Sequence, residues 1–450
     1  MKNNQNAMGT KPVFPLLLSM SLPVILSMLI QSLYNIVDSF WVAKLGTDAL
    51  TAVSLAFPLQ NIVLSVAVGT GIGISTQVSI CLGRNDREEA SRVASMGILL
   101  VVIHCMLFFV LGLVVTRPFL SLFTEDETIL NGSCEYTKIV LCLSFGSLIQ
   151  ICLEKILQGA GKMLVTMFLM MSGCIINIIL DPIMIFGLFG FPAMGIRGAA
   201  CATVIGQISG MILYIVTFCF LDLGLTIHPR YAKLDAGLVK RIYGVSLPSC
   251  LMMSLPSVLT GLLNAILVKI GTVYVAILGL YFKLQTFVNM PANGVIQGMR
   301  PVIGYNYGAH QFKRSRQAIC YSLILVSTIS AAGTILSLFF PGPILEIFDA
   351  EPQLLQEGIV ALRLIGPGFV LSSVAIVMCG VMESLGDGMG SLKISLLRQF
   401  IILIPLSFVL SRFMGAAGVW IAFPIAELVT LFYAVFCMRR LFRNRLNDAV

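Results

Sequence analysis

The sequence predicts an all-α polytopic membrane protein: twelve transmembrane helices in two pseudo-symmetric six-helix lobes, with both termini cytoplasmic. Three observations lead there. Of 450 residues, 58% are hydrophobic and only 11% are charged, against about a quarter charged in soluble domains. Apolar runs of about twenty residues recur along the chain, each long enough to cross a hydrocarbon core as a helix, the form in which a lone segment satisfies its own backbone in lipid. The second half of the chain also repeats the first at a fixed offset.

The opening residues "MKNNQNAMGTKP" are polar and carry no cleavage-type signal. The apolar run behind them is too long for a signal peptide, so it is read as the first span. The spans are placed at about 13–42, 50–80, 93–115, 136–158, 165–189, 195–221, 241–268, 272–300, 318–340, 357–382, 393–412 and 416–438. An even count puts both termini on one side, and Lys and Arg decide which side that is. With the termini inside, the inner tails and loops hold 21 basic residues, Lys2, Lys233 and Arg398 among them, and the outer loops hold 6. The acidic stretches "TEDET" (124–128) and "FDAEPQ" (348–353) then fall outside. The net charge of +8 follows from this topology and needs no nucleic-acid partner. The cysteines sit mostly in apolar runs, as small buried hydrophobes.

Shifting residues 21–83 by 225 positions lays them on 246–308 without a gap. Pro23 then meets Pro248, Lys44 meets Lys269, Gly69 meets Gly294, Gly73 meets Gly298, and further on Gly161 meets Gly386. "MGIRGAACATVIGQ" (194–207) similarly resembles "MGAAGVWIAFPIAE" (414–427). The organisation expected is a first lobe at 1–221, a polar cytoplasmic connector at 222–240 and a second lobe at 241–450. Six spans per half keep the halves in one orientation, related by an axis along the membrane normal. Paired halves suit a transporter that opens to either side around a site at their interface. A purely structural membrane protein would leave its intramembrane polar residues unexplained.

Those polar residues come in order along the chain. A charge at the bilayer centre costs about 2.5–3.5 kcal/mol on insertion scales. In the first span Gln31, Asn35 and Asp38 fall at i, i+4 and i+7, on one helix face. In the fifth, "IINIILDPIMIFG" (175–187) sets Asn177 and Asp181 at i, i+4, with Pro182 next. Facing one another, the two stripes would enclose a polar pocket holding Asp38 and Asp181. Pro182 removes a backbone hydrogen bond and frees a carbonyl one turn earlier, a bending point beside two carboxylates. Two acids in a poorly solvated pocket repel each other, which favours taking up a proton or binding sodium. Position 263, the repeat equivalent of Asp38, is Leu, so coupling is expected in the first half.

In the seventh span Ser257, Thr260 and Asn264 form a weaker stripe. In the eighth, Gln285, Asn289, Asn293 and Gln297 follow at i+4 steps and should line a water-accessible cavity, with Lys283 at the edge to pair with an acid, contact substrate or snorkel. Glu427 in the last span is a further cavity candidate or a helix-packing residue. Met163, Met167, Met170 and Met171, and Met252, Met253, Met290 and Met299, offer an adaptable apolar surface suited to varied ligands. The glycine-bearing loops 81–92 and 306–317 are not nucleotide motifs, so no ATP-binding module is expected. The three histidines have no ligand spacing, and no nucleophile–base constellation is found, which disfavours a membrane enzyme or a resident metal site.

"YNIVDSFWVAKLGTDALTAVSLAFP" (34–58), "NIILDPIMIFG" with "GIRGAACATVIGQ", and "QGMRPVIGYNYGA" (297–309) resemble the multidrug and toxic compound extrusion (MATE) family, in its bacterial DinF-like and MepA-like branch. The resemblance covers nearly the whole chain. It implies the MATE/MOP fold in a bacterial cytoplasmic membrane, and an antiporter in which a proton or sodium gradient drives export of cationic lipophilic compounds, with no cofactor. Asp38, Asn177 and Asp181 match the family's first-half cation site, Gln31, Tyr136 and Thr203 match neighbouring positions, and Pro23 matches the first-helix proline where bending is expected. Some branches use acids in the seventh and eighth spans, where this chain carries Lys283. An alternative in the same superfamily is a lipid-linked oligosaccharide flippase, which commonly has a more basic cavity.

Overall fold

The computed structural model of the chain describes residues 7–231, 235–348 and 352–446. Lys2 and Lys233 of the basic tally, and 349–351 of the acidic loop stretch, lie outside the described residues. The described residues are helical almost throughout, with no strand among them. The long helices are α1 (Val13–Ala43), α2 (Thr47–Gly83), α3 (Arg87–Val114), α4 (Glu127–Cys142), α5 (Phe145–Gly159), α6 (Met163–Phe186) and α7 (Ile196–Phe220). They continue with α8 (Ala236–Leu267), α9 (Thr272–Gly308), α10 (Phe312–Phe339), α11 (Pro352–Ile365), α12 (Pro367–Ser384), α13 (Gly388–Met414) and α14 (Ala416–Asn444). Eleven helices among the described residues are long and apolar enough to cross a membrane, and the count is twelve if the bent pair α4–α5 is one span.

Three of the expected spans differ in detail. The fourth begins earlier, at Glu127, because Asp126 caps α4 by accepting from the Thr128 and Ile129 amides. It then turns by 44° between α4 and α5. The tenth is divided at Gly366–Pro367, where the proline supplies no amide to continue the α11 ladder. The eleventh takes a π-helical turn over Leu397–Leu403, which Arg398 enters.

The helices form two compact units. One comprises Met1–Ala7 and Leu26–Cys250, the other Met8–Ile25 and Leu251–Val450. The divisions fall inside α1 and α8 rather than in the 222–240 connector, and the glycines show why. A Cβ at Gly69 of α2 would lie 2.7 Å from the Cys250 backbone nitrogen, and one at Gly73 2.5 Å from the Ile242 carbonyl oxygen. In the other unit, Gly294 and Gly298 of α9 press against Ile25 and Ser21 of α1 in the same way. Gly73 also meets Ser246, so that Gly69–Cys250 recurs as Gly294–Ile25 and Gly73–Ser246 as Gly298–Ser21 at the 225-residue offset. Each glycine helix thus takes the opening turns of the other half's first helix into direct backbone contact, an approach only a residue without Cβ allows.

The backbone repeats too. Asn85 and His310 both take positive φ, 59° and 56°, as do Gly161 and Gly386 at 76° and 80°. In the first unit Val42, Tyr136 and Ile185 belong to a buried apolar cluster next to the polar residues described below. In the second, Tyr281, Phe369, Trp420 and Phe423 form part of the core.

Candidate functional site

The first unit contains a cavity of about 720 Å³. Four of the predicted stripe residues, Gln31, Asn35, Asp38 and Asn177, line it, together with Tyr136 and Thr203. α1 supplies the first three because their i, i+4, i+7 spacing keeps them on one face. α6 runs unbroken through Pro182, so Asn177 and Asp181 stay one turn apart on one face. The amide of Pro182 is absent by chemistry, which deprives the Ile178 carbonyl of its i+4 donor without interrupting the helix.

Asp181 lies just behind the wall and is 0% exposed. Asn177 Nδ2 donates to Asp181 Oδ1 at 3.3 Å. The Asp38 carboxyl reaches the same place from α1, where the two acids are direct side-chain neighbours. Gln60 Nε2 of α2 donates to Tyr136 Oη at 3.3 Å, which orients the phenol at the edge of the group. Three buried oxygens here, Asp38 Oδ1, Asp181 Oδ2 and Asn177 Oδ1, accept no hydrogen bond from the protein. Buried acceptors are ordinarily satisfied. Two carboxylates with spare oxygen capacity and an amide oxygen make a donor set for a small hard cation, or for a proton held between the acids.

The remaining predicted cavity residues lie in the second unit. Gln285 Nε2 donates to Tyr281 Oη at 2.9 Å. Lys283 is exposed, its ammonium 5.4 Å from the centroid of the Phe348 ring. Asn289, Asn264 and Met290 are half-buried and Asn293 is exposed. Glu427 Oε1 faces Arg398 Nε at 3.8 Å across α14 and the π-helical turn, so this acid ties α14 to α13. None of these residues lines the first-unit cavity. Pro23 sits inside α1, two residues before the division at Ile25.

Sequence reasoning missed a large part of the cavity. Tyr34 of α1, Gln60 and Asn61 of α2, Gln150 and Glu154 of α5, and Gln207 of α7 all line it. The i, i+4 spacing of Gln150 and Glu154 was an available signal. No Lys or Arg is among the lining residues.

The MatE family profile matches residues 23–183 and 248–409, one block in each half of the chain. The chain belongs to the MatE family. It is a multi-pass membrane transporter, and the two matched blocks correspond to the internal repeat. Among its relatives is the protein named multidrug export protein MepA from Staphylococcus haemolyticus, 27% identical over 436 residues, covering 97% of this chain and 95% of the relative. Another, named FAD transporter, from Shewanella oneidensis, is 26% identical over 438 residues and covers 95% and 94%. A MATE crystal structure in complex with MaL6 superimposes with a TM-score of 0.89 at 24% identity, covering 98% of both chains, and so shares the fold.

Proposed function

We propose that this MatE chain is a multidrug efflux antiporter that couples export of cationic lipophilic compounds to entry of a proton or sodium ion by alternating access. One observation carries the reading. Asp38 and Asp181 come together beside Asn177, inside one body of apolar helices, with oxygens that no protein donor satisfies. Leaving such acids in a membrane-spanning unit is costly unless their charge is used.

In this reading the pair takes up the coupling ion, held by both carboxyl groups and the Asn177 oxygen, with Gln31, Tyr136 and Thr203 completing the surroundings. Uptake neutralises negative charge on the cavity wall and weakens the hold on a bound organic cation. The halves 1–221 and 241–450, linked through 222–240 and with both termini cytoplasmic, then exchange access between the two sides, aided by the prolines at 23 and 182. Membrane potential contributes about 2.3 kcal/mol per 100 mV for each net charge moved. The amide stripe with Lys283, Asn264, Met290 and Glu427 is assigned to substrate passage in the second half. A lipid-linked oligosaccharide flippase would favour basic groups around its anionic cargo, and the first-unit cavity wall has none.

The test is ethidium transport in proteoliposomes with imposed pH or sodium gradients. Gradient-driven flux is expected from the wild type and background flux from Asp38→Asn and Asp181→Asn. Undiminished coupled flux in both variants overturns the assignment.

A further inference from the structure

In the second unit, the first turn of α10 fastens two other segments. Arg314 Nη2 donates to the Met8 carbonyl at 3.1 Å and to the Lys11 carbonyl at 2.7 Å, and its Nε donates to Asn306 Oδ1 at 3.0 Å. Arg316 Nη2 donates to the Phe442 carbonyl, in the last turn of α14, at 3.1 Å. Its guanidinium also lies 5.6 Å from the centroid of the Phe442 ring. Arg316 thus ties the start of α10 to the end of α14, while α12 packs against both helices.

Each of these two helices carries an exposed stripe that runs toward the tie. On α14, Phe432, Phe436, Arg440 and Arg443 fall at i, i+4, i+8 and i+11, and all are exposed. On α10, Ile324, Cys320, Gln317 and Lys313 keep a similar spacing in the opposite direction and are exposed too. On both helices, apolar groups give way to bases at the level of the Arg316–Phe442 contact. Among the described residues Lys313, Arg440 and Arg443 enter no ion pair. Arg443 Nε donates to Asn444 Oδ1 at 3.5 Å, and the nearby Arg445 is engaged by Asp387 at 3.6 Å. An apolar face ending in unpaired bases complements a phospholipid, with chains along the helices and an anionic headgroup at their ends.

We propose that Lys313, Arg440 and Arg443 bind the phosphate of an anionic glycerophospholipid whose acyl chains lie along the exposed stripes of α10 and α14. The occupant is a lipid and not a soluble phosphate, because the bases continue an apolar surface on each helix. A lipid with two phosphates, cardiolipin, fits best: one phosphate meets Lys313 and the other the two arginines of α14, bridging the helices that Arg316 already ties. Bound there, it stabilises the folded second unit by mass action. None of these residues lines the first-unit cavity, and the inference is independent of the efflux reading.

Native mass spectrometry of the full-length protein, titrated in detergent with cardiolipin, phosphatidylglycerol or phosphatidylcholine, tests this. The wild type is expected to bind cardiolipin at least tenfold more tightly than phosphatidylcholine, with phosphatidylglycerol in between. The triple variant Lys313→Gln/Arg440→Gln/Arg443→Gln is expected to lose at least tenfold in cardiolipin affinity, and Arg440→Lys/Arg443→Lys less than threefold. Cardiolipin should raise the melting temperature of the wild type and leave that of the triple variant where it was. Should the triple variant melt lower in phosphatidylcholine, Lys313→Gln and Arg440→Gln/Arg443→Gln are measured separately, and each is expected to lose at least threefold. Equal wild-type affinity for cardiolipin and phosphatidylcholine overturns the proposal, as does wild-type cardiolipin affinity in the triple variant. An equal loss in Arg84→Gln/Arg230→Gln/Lys240→Gln, which removes the same charge from the first unit, also overturns it, since the attraction is then to overall charge. Displacement of cardiolipin by inorganic phosphate overturns it too, because the patch then binds phosphate without regard to the chains.

Discussion

Asp38 and Asp181, 143 positions apart in the chain, place their carboxyl groups side by side where α1 meets α6. Neither helix alone explains its acid. Together they form a group that has reason to bind a positive ion, and its consequences are measurable.

Asp181→Asn should bring gradient-driven ethidium flux in proteoliposomes down to background, a loss of at least tenfold, with the melting temperature of the purified protein held or raised. An amide keeps the shape and the Asn177 contact while removing a charge that is expensive to bury. A variant that melts far lower would mean that Asp181 holds the helices together and does not serve coupling.

Asn177→Leu removes the donor to Asp181 Oδ1 and one unsatisfied acceptor. A hydrogen bond to a charged group is worth about 1.5–3 kcal/mol. The concentration for half-maximal flux should therefore move by roughly ten- to hundredfold, upward for sodium, which loses the Asn177 oxygen as a ligand, and downward for protons, because the lost donor no longer stabilises the charged carboxylate. An unchanged ion dependence would remove Asn177 from the site.

Gly73→Ala should reduce stability more than Gly294→Ala. The added carbon at Gly73 meets a backbone carbonyl of α8, which cannot move aside, whereas at Gly294 its tightest contact is the Ile25 side chain. Overpacking of this kind costs about 1–3 kcal/mol. Thermal melting in detergent gives the order, and a reversed order contradicts the packing described.

Arg398→Leu should destabilise by several kcal/mol, because it strands Glu427 against the second-unit core. Breaking one side of a buried pair typically costs about 3–5 kcal/mol, whereas replacing both partners with apolar residues is often neutral. The double variant Arg398→Leu/Glu427→Leu should then recover most of the loss. Failure to recover would give one of the two residues a separate task, with transport assays to identify it.

Much of this architecture was legible in the chain. Long apolar runs, the 225-residue offset and the i, i+4 stripes are local or periodic signals, and lipid leaves a helix few alternatives. The paired Gly161 and Gly386 even carried a mirrored backbone turn, both at positive φ. What escaped depends on contacts between distant segments. Glu154 sits beside a lysine in sequence, so it reads as an ordinary loop-end ion pair until α5 is seen lining a cavity. Arg398, counted among the inner basic residues, enters a π-helical turn whose partner Glu427 lies on the next helix. The bend between α4 and α5 carries no proline, and nothing in its residues announced it.

The exchange of opening turns between α1 and α8 bears on how such a chain arose. Neither half closes its own packing: the turns carrying Ser21 and Ile25 complete the second body, and those carrying Ser246 and Cys250 complete the first. A six-helix ancestor would have faced the same deficit and met it by trading arms with a second copy of itself. Fusion of the two copies would make such a reciprocal loan permanent, and cutting the present chain at its connector should yield two fragments that stay folded only in each other's company.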